Sequence, residues 1–467
     1  MVPSTQPNPS TDLPPVLALP SPSGKPFDAA ITPPGSKSLT NRALLLAALA
    51  RGRSELRNCL RDADDARRMV EAVRALGAIV EDGPDGRLIV TGVDGRWRPP
   101  VQGARLDLGN AGTAARFLAA SAVLSSGPIT IDGNERMRQR PIGELGGVLG
   151  KLGCGVAYEG QEGYPPLKIT PPATAAPAPL LEIPTTQSSQ FISGLLMAAP
   201  WMARGLTVRL EGEITSAPYI AMTLGLLARV GASVRYSEDL RVIRVGPGES
   251  EGDEHARGLR GFEYTVEPDA SGATYFWAGA AIVPGARCRV MGLDESSLQG
   301  DARFPEVLRL MGVSIGSQPG PDGYIETVGN GTLKPILADM SEMPDAAMTL
   351  AAVACFASGT SILRGLRTLH VKECDRIAAT YTELTKLGVM VQTPVQGDPD
   401  AMTITPPPGG VDCSASCPQV TFETYNDHRM AMSLALIGLR RPNVSIRNPG
   451  CVAKTYPGFW EDFGKLR

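Results

Sequence analysis

Hydrophobic positions follow a repeated pattern along this chain. Segments with apolar residues at helical spacing, such as A-R-R-M-V-E-A-V-R-A-L, end at a glycine that precedes a small residue. The glycine recurs at intervals of 76–81 residues, and most copies lead into a β-prone run such as A-I-V or V-M-V. This order is typical of an amphipathic helix that is closed by glycine at C′ and followed by a strand. The pattern predicts six such helix ends, at Gly77, Gly153, Gly231, Gly312, Gly388 and Gly464.

A second family of segments lies about forty residues before each glycine. Its members open with Ser, Thr, Asp or Asn, which cap exposed N–H groups, and then become rich in Ala, Leu and Ile. A helix that is apolar on every side must be covered on every side. We therefore predict six N-capped buried helices, which begin at G-S-K-S-L-T-N-R, G-N-A-G-T-A-A-R, T-Q-S-S-Q-F-I-S, P-D-A-S-G-A-T-Y, M-P-D-A-A-M-T and Y-N-D-H-R-M-A-M.

One repeat thus contains an apolar helix, an amphipathic helix and connecting strands. The apolar helices should lie inside, with the amphipathic helices beside them and the sheets outside. Six units with parallel and antiparallel strands predict an α/β fold of two domains with three units each. Repeat symmetry should also direct the polar helix starts toward a common region.

Composition limits the function classes. The chain has 467 residues and a formal net charge of −3, which argues against a general nucleic-acid or anionic-membrane binder. No apolar run approaches the ~20 residues of a membrane span. The eight cysteines form no CxxC pair, so we expect reduced thiols in a cytoplasmic protein without a metal. The Pro- and Ser-rich residues 1–16 are expected to form a disordered tail.

The start of the first apolar helix is a candidate anion site. Lys37, Ser38 and Arg42 lie in its first turns, where exposed N–H groups and the helix dipole favour negative charge. A nucleotide P-loop is the first alternative, but Ser36 interrupts the required Gly-Lys order. A non-catalytic module that binds a phosphorylated ligand is another alternative, because a fold does not fix a function.

Eight motifs in order carry a resemblance to a known family. They are P-G-S-K-S-L-T-N-R, L-G-N-A-G-T, R-M-R-Q-R-P-I, S-S-Q-F, M-P-D-A-A-M, V-K-E-C-D-R, T-Y-N-D-H-R-M and C-V-A-K-T-Y-P. From about Leu17 onward the chain resembles the 5-enolpyruvylshikimate-3-phosphate synthases. The resemblance implies a two-domain inside-out α/β barrel with six βαβαββ repeats. It also implies an inserted domain at 35–266, mainly for shikimate 3-phosphate, and a discontinuous domain at 17–34 plus 267–467, on the phosphoenolpyruvate side.

The resemblance also implies a reaction. Members of this family join phosphoenolpyruvate to the 5-hydroxyl of shikimate 3-phosphate and release phosphate through a tetrahedral ketal, a step toward chorismate and the aromatic amino acids. The two substrates together carry a charge of about −5 to −6. No cofactor is implied, and we expect a monomer that closes its domains on its substrates. Seven cations match family positions that could offset this charge: Lys37, Arg42, Arg140, Lys372, Arg376, Arg429 and Lys454.

Roles carry over position by position. Asp345 matches the proton acceptor and Glu373 a proton-transferring acid, with Lys37 beside the transferring group. The expected phosphoenolpyruvate contacts are Lys37, Gly112, Arg140, Gln190, Arg376, Arg429 and Lys454. The expected shikimate 3-phosphate contacts are Lys37, Ser38, Arg42, Ser188, Ser189, Gln190, Ser216, Asp345 and Lys372. Further candidates are Asn110, Thr113, Tyr219, Asp269, Asp427 and His428.

Some positions depart from the family pattern. Phe117 stands where many relatives have Pro, Thr368 replaces an Asn that contacts shikimate phosphate in some members, and His370 stands where relatives often have Arg. Gly112 is retained, so the resemblance implies inhibition by glyphosate in competition with phosphoenolpyruvate. The nearest alternative is UDP-N-acetylglucosamine enolpyruvyl transferase, but no cysteine lies between Cys59 and Cys154, where that family has a reactive one.

Overall fold

The chain forms two compact units. The computed structural model describes residues 13–173, 180–184, 188–247, 258–320 and 323–467. Gly35–Glu267 make up one unit, here called the inserted unit. The chain up to Pro34 and Pro268–Arg467 make up the other, the discontinuous unit. Across the described part of the chain, no helix is both long and apolar enough to cross a membrane.

The inserted unit contains helices of both predicted kinds. Its α-helices are α1 (Lys37–Leu49), α2 (Asp64–Ala75), α3 (Gly112–Ser121), α4 (Gly143–Lys151), α5 (Ser189–Ala198) and α6 (Ala217–Arg229). Its strands are β3 (Arg53–Arg57), β4 (Ile79–Asp82), β5 (Leu88–Thr91), β6 (Ala104–Asp107), β7 (Ile129–Asp132), β8 (Gly155–Tyr158), β9 (Leu167–Thr170), β10 (Leu180–Ile183), β11 (Leu206–Leu210), β12 (Ser233–Tyr236), β13 (Val242–Gly246) and β14 (Glu263–Thr265).

The discontinuous unit repeats the same plan. Its α-helices are α7 (Ala270–Ile282), α8 (Phe304–Leu310), α9 (Ala347–Ala354), α10 (Arg376–Thr385), α11 (His428–Ala435) and α12 (Phe459–Gly464). Its strands are β1 (Val16–Ala18), β2 (Asp28–Ile31), β15 (Arg287–Met291), β16 (Ser314–Gln318), β17 (Tyr324–Val328), β18 (Leu337–Asp339), β19 (Ser361–Arg364), β20 (Met390–Gln392), β21 (Met402–Thr405), β22 (Val420–Phe422) and β23 (Val444–Arg447).

Within the described residues each unit has three mixed sheets, as the repeat predicts. The inserted unit has strand orders β14-β3-β5-β4, β6-β7-β9-β8 and β10-β11-β13-β12. The discontinuous unit has β16-β17-β15-β2, β18-β19-β21-β20 and the shorter β1-β23-β22. In the first sheet β3 runs parallel to β14, with Glu55 opposite Glu263, and antiparallel to β5, with Glu55 opposite Ile89. The other four-stranded sheets have the same combination of one parallel and two antiparallel strand pairs.

The apolar helices form the cores. All 13 residues of α7 and all ten of α3 are buried, whereas only five of the 12 residues of α2 are. A helix that is apolar on all sides removes its whole apolar surface from water only when other elements surround it. This burial is stabilising and explains why these segments lie inside. The prediction of buried apolar helices flanked by amphipathic ones is confirmed.

A helix ends at or just before each of the six predicted glycines. Gly77, Gly153, Gly231, Gly312 and Gly388 follow α2, α4, α6, α8 and α10 with φ of 75–101°, the left-handed region that favours glycine. Gly464 also ends a helix, but as the last residue of α12 and not as a residue that follows it. Four predicted side-chain caps are present, at Ser36, Ser188, Asp269 and Asp427. Ala111 and Ala346 precede α3 and α9 instead, so no side-chain cap forms there.

Candidate active site

Three helix starts meet in the discontinuous unit. Arg376 is the first residue of α10, and Asp427 caps α11 by accepting from the N–H of Arg429 at 2.9 Å. Asp345 lies in the short 3₁₀ helix Pro344–Ala346 that leads into α9. Side chains from all three starts contact one another, so the predicted convergence of polar helix starts is found in this unit.

Arg376 is the centre of this cluster. Its buried guanidinium donates to both carboxylate oxygens of Asp427, at 2.8 and 3.1 Å. It also donates to Asp345 at 2.9 Å and to Glu373 at 3.0 Å. Burial lowers the pKa of Arg376, but the attraction of these carboxylates outweighs it and the pKa is raised. Arg376 is therefore a fixed positive charge with its fork held in one orientation.

Asp345 lies among three cations. Lys372 Nζ is 3.3 Å from Oδ1, and Arg429 Nη2 is 2.9 Å from Oδ2. Together with Arg376, these contacts hold both carboxylate oxygens of a side chain that is 12% exposed. Burial lowers the pKa of Lys372, against the attraction of Asp345. The carboxylate is thus oriented on all sides by positive groups.

Glu373 links two cations. One oxygen accepts from Arg376 and the other from Lys454 Nζ at 2.7 Å. The cluster then contains four cations and three carboxylates, one positive charge in excess: Lys372, Arg376, Arg429 and Lys454 with Asp345, Glu373 and Asp427. Most of the positive charge of this cluster is therefore balanced by its own carboxylates, which also hold the cations in fixed orientations.

Two further acids of this unit, Asp269 and Asp301, are buried. Asp269 caps α7 by accepting from the N–H of Gly272 at 2.8 Å, as its sequence predicts. Asp301 is buried against the hydroxyl of Ser271. Burial and the charge of Asp345 raise the pKa of Asp301, the Ser271 hydrogen bond opposes them, and the resulting pKa is about 6. The ring of His428 is also buried, with Nδ1 3.7 Å from Asp427.

The start of α1 has the geometry that the motif predicts. Ser36 Oγ accepts from the N–H of Leu39 at 3.4 Å, and Lys37 Nζ lies 3.8 Å from the buried carboxylate of Asp65. Ser38 is partly exposed at the same turn. The Lys37 ammonium is therefore oriented by an acid of α2, a partner that the sequence pattern does not indicate.

Arg42 lies in the interior of the inserted unit. Its guanidinium donates to Thr223 Oγ1 at 2.8 Å, to the carbonyl of Tyr219 at 3.1 Å and to the carbonyl of Ser38 at 2.9 Å. The ring of Phe117 lies 5.0 Å from its Cζ. Burial lowers the pKa of Arg42 to about 10. Arg42 thus ties α1 to α6, and the unusual Phe117 packs against it.

Gly112 and Arg140 are in close contact. Arg140 is buried and donates to Asn110 Oδ1 at 3.1 Å, and its guanidinium lies against the α-carbon of Gly112. Arg116, one helical turn after Gly112, donates to the carbonyl of Pro141 at 3.0 Å. Arg116 thereby holds the segment that carries Arg140.

Two more helix starts carry the remaining predicted residues. Gln190 Nε2 donates to Thr113 Oγ1 at 3.1 Å, and Ser188 caps the helix in which Ser189 is the first residue. Ser216 precedes α6 with φ of 52°, and Tyr219 lies in the first turn of that helix. The starts of α3 and α5 therefore touch through Thr113 and Gln190.

Comparisons with known proteins identify the family of this chain. The family model described as EPSP synthase (3-phosphoshikimate 1-carboxyvinyltransferase) matches residues 22–463. The chain belongs to the EPSP synthase family. The enzyme named 3-phosphoshikimate 1-carboxyvinyltransferase in Thiobacillus denitrificans is 44% identical over 435 residues, which cover 93% of this chain and 95% of the relative. The enzyme of the same name in Laribacter hongkongensis is 43% identical over 437 residues, 93% of this chain and 96% of the relative.

A solved structure shows the same fold. EPSP synthase from Acinetobacter baumannii superposes with a TM-score of 0.76 at 26% identity and covers 97% of this chain and 98% of its own. The predicted fold class and the resemblance to EPSP synthases are therefore confirmed. The alternative family, UDP-N-acetylglucosamine enolpyruvyl transferase, is not the one whose model matches.

The residues predicted from the EPSP synthase resemblance divide between the two units. The inserted unit contains Lys37, Ser38, Arg42, Asn110, Gly112, Thr113, Arg140, Ser188, Ser189, Gln190, Ser216 and Tyr219. The discontinuous unit contains Asp269, Asp345, Lys372, Glu373, Arg376, Asp427, His428, Arg429 and Lys454. The set predicted to contact phosphoenolpyruvate is shared between them. Sequence reasoning missed Asp65, Arg116 and Asp301, because a single charged residue in a helical segment usually faces water.

Proposed function

We propose that this chain transfers the enolpyruvyl group of phosphoenolpyruvate to the 5-hydroxyl of shikimate 3-phosphate and releases phosphate. The observation that carries the proposal is the cluster around Arg376, in which four cations and three carboxylates of the family motifs contact one another. Membership of the EPSP synthase family supports the same reaction.

The first step is addition. The 5-hydroxyl oxygen bonds to C2 of phosphoenolpyruvate, the hydroxyl proton passes to a base, and an acid protonates the methylene carbon. Asp345 is proposed as the base, because three cations orient its carboxylate. Glu373 is proposed as the acid, with Lys454 and Arg376 on its two oxygens.

The second step is elimination from the tetrahedral ketal. The C2–O bond to phosphate breaks, a methyl proton is removed, and the enolpyruvyl ether forms. Arg376 and Arg429 are proposed to hold the phosphoenolpyruvate carboxylate or phosphate, because their planar groups suit bidentate binding. Their orientation by Asp427 and Asp345 means that little rearrangement is needed as charge moves.

In the inserted unit we propose that Lys37, Arg140 and Gln190 contact phosphoenolpyruvate, and that Ser38, Ser188, Ser189 and Ser216 contact shikimate 3-phosphate. Arg42 already donates to four protein groups. We therefore propose that Arg42 supports the residues that contact shikimate 3-phosphate and adds positive charge near them.

A phosphate-release assay with two acceptors tests the proposal. Purified protein with phosphoenolpyruvate should release phosphate when shikimate 3-phosphate is added, and not when UDP-N-acetylglucosamine is added. Phosphate release only with UDP-N-acetylglucosamine would instead support UDP-N-acetylglucosamine enolpyruvyl transferase activity. Tight binding of shikimate 3-phosphate without release would support the non-catalytic alternative.

A further inference from the structure

Glu383 is a buried acid that no motif of the site includes. It lies in the last turn of α10, with none of its surface exposed. Arg376 begins the same helix seven residues earlier, so both side chains lie on one face, two turns apart. One end of this face therefore carries the central guanidinium of the site, and the other end carries Glu383.

The carboxylate of Glu383 holds the segment just before α11. One oxygen accepts from the hydroxyl of Tyr425 at 2.7 Å, and the other accepts from the backbone N–H of Glu423 at 2.9 Å. Lys386 Nζ lies 2.6 Å from the second oxygen. Burial and the bond to Glu383 raise the pKa of Tyr425 to about 12, so the hydroxyl stays a donor at neutral pH.

The segment that Glu383 holds has an unfavourable backbone. Tyr425 and Asn426 have φ of 55° and 54°, and two consecutive non-glycine residues in the left-handed region require support from their surroundings. The N–H of Asp427 donates to the carbonyl of Thr424 at 2.8 Å, which closes the turn. The conformation of this turn sets where Asp427 begins α11.

Asp427 transmits that position to the site. Its carboxylate accepts from Arg376 at two points and from the N–H of Arg429. We propose that Glu383 is a positioning residue, which holds the turn at Tyr425 and Asn426 so that Asp427 keeps Arg376 and Arg429 in the geometry that binds phosphoenolpyruvate. This inference rests on the proposed function, because it assigns those arginines to that substrate.

The test compares Glu383→Leu with Glu383→Gln. Leucine keeps the volume but accepts no hydrogen bond from Tyr425 or Glu423. Glutamine keeps an acceptor for the Glu423 N–H, and its amide can donate to the Tyr425 hydroxyl. We expect Glu383→Leu to raise the KM for phosphoenolpyruvate at least fivefold and to change the KM for shikimate 3-phosphate less than twofold. Glu383→Gln should stay within twofold of wild type for both substrates.

A control variant removes a different acid of the same unit, one that is only partly buried. Glu326 accepts from Arg287 at 3.1 Å and its side chain is 14% exposed. Glu326→Leu should leave both KM values unchanged. If Glu383→Leu does not fold, Tyr425→Phe removes one of the two hydrogen bonds and should raise the KM for phosphoenolpyruvate two- to threefold.

Three results would overturn the inference. The first is an unchanged KM for phosphoenolpyruvate in Glu383→Leu or, if that variant does not fold, in Tyr425→Phe. The second is an equal rise in both KM values, and the third is a Glu383→Gln variant as impaired as Glu383→Leu. Wild-type protein without any turnover would overturn the proposed function and this inference with it. Active wild type with any of the three results overturns this inference alone.

Discussion

A methyl group on the α-carbon of Gly112 would lie 2.5 Å from Nη2 of Arg140. That atom is the far end of a flexible side chain, so an alanine at this position can be accommodated if the guanidinium moves. The backbone of α3 need not shift. The cost of the substitution should therefore fall on the orientation of Arg140, which is proposed to contact phosphoenolpyruvate.

We expect Gly112→Ala to fold normally and to raise the KM for phosphoenolpyruvate about tenfold. A tenfold rise corresponds to the loss of roughly one charge-assisted hydrogen bond between Arg140 and the substrate. Gly147→Ala is a suitable control, because nothing lies within 4 Å of a Cβ built at that glycine of α4. Steady-state kinetics and thermal melts of both variants measure the effect. Equal KM values for the two variants would contradict the assignment of Arg140.

Glyphosate offers a second measurement at the same position. We expect wild-type turnover to be inhibited in competition with phosphoenolpyruvate, and inhibition of Gly112→Ala to require more glyphosate. The comparison is made at low phosphoenolpyruvate with fixed shikimate 3-phosphate. Unchanged wild-type turnover in saturating glyphosate would refute this expectation.

Loss of Arg376 should destabilise the discontinuous unit. Arg376→Leu leaves Asp345, Glu373 and Asp427 close together without their shared cation, and breaking a buried ion pair costs about 3–5 kcal/mol. Urea unfolding at pH 7 measures the change. Arg303→Leu, which breaks an exposed pair with Glu342, should cost less than about 1 kcal/mol. Similar losses in both variants would show that the cluster is not buried as described.

Asp301 should make stability depend on pH. Its pKa is raised to about 6 in the folded chain, so the folded state binds the proton more tightly than the unfolded state. The contribution of Asp301 to stability is complete below about pH 4 and is lost as the pH rises through about 6. Asn does not titrate, so we expect the stability of Asp301→Asn relative to wild type to increase as the pH rises from 4 to 7. The total increase should be on the order of 3 kcal/mol. A difference that does not change with pH would contradict the raised pKa.

Ser216 separates backbone strain from ligand contact. Its φ of 52° suits glycine, so Ser216→Gly should keep the free energy of unfolding within about 1 kcal/mol of wild type. Both Ser216→Gly and Ser216→Ala remove the hydroxyl and should raise the KM for shikimate 3-phosphate about tenfold. If only Ser216→Ala raises this KM, the hydroxyl is not a ligand contact.

The repeat made much of the fold predictable. Glycine at C′ and Ser or Asp at an N-cap are local signals, because each is required by the backbone of its own turn. They locate all six of these helix ends and four of six capped starts. At Gly464 the helix also ends, but the glycine is the last residue of α12 and does not follow it.

The internal partners of the site were not predictable. Asp65 and Glu383 occur in amphipathic helices, where a charged residue normally faces water, and Arg116 is a single charged residue in the apolar helix α3. Only the packing of other elements buries them against Lys37, Pro141 and Tyr425. A buried role for Arg42 was equally hidden, because its partner Thr223 lies 181 residues away.

The most direct test of the account is phosphate release by wild type and by Asp345→Ala, with both substrates saturating and the enolpyruvyl ether measured in parallel. We predict that wild type releases one phosphate for each enolpyruvyl ether formed. Asp345→Ala should stay folded but release phosphate at least a thousandfold more slowly. This decrease in rate corresponds to a rise of about 4 kcal/mol in the activation free energy. No release by wild type, or equal rates for the two proteins, would contradict the account.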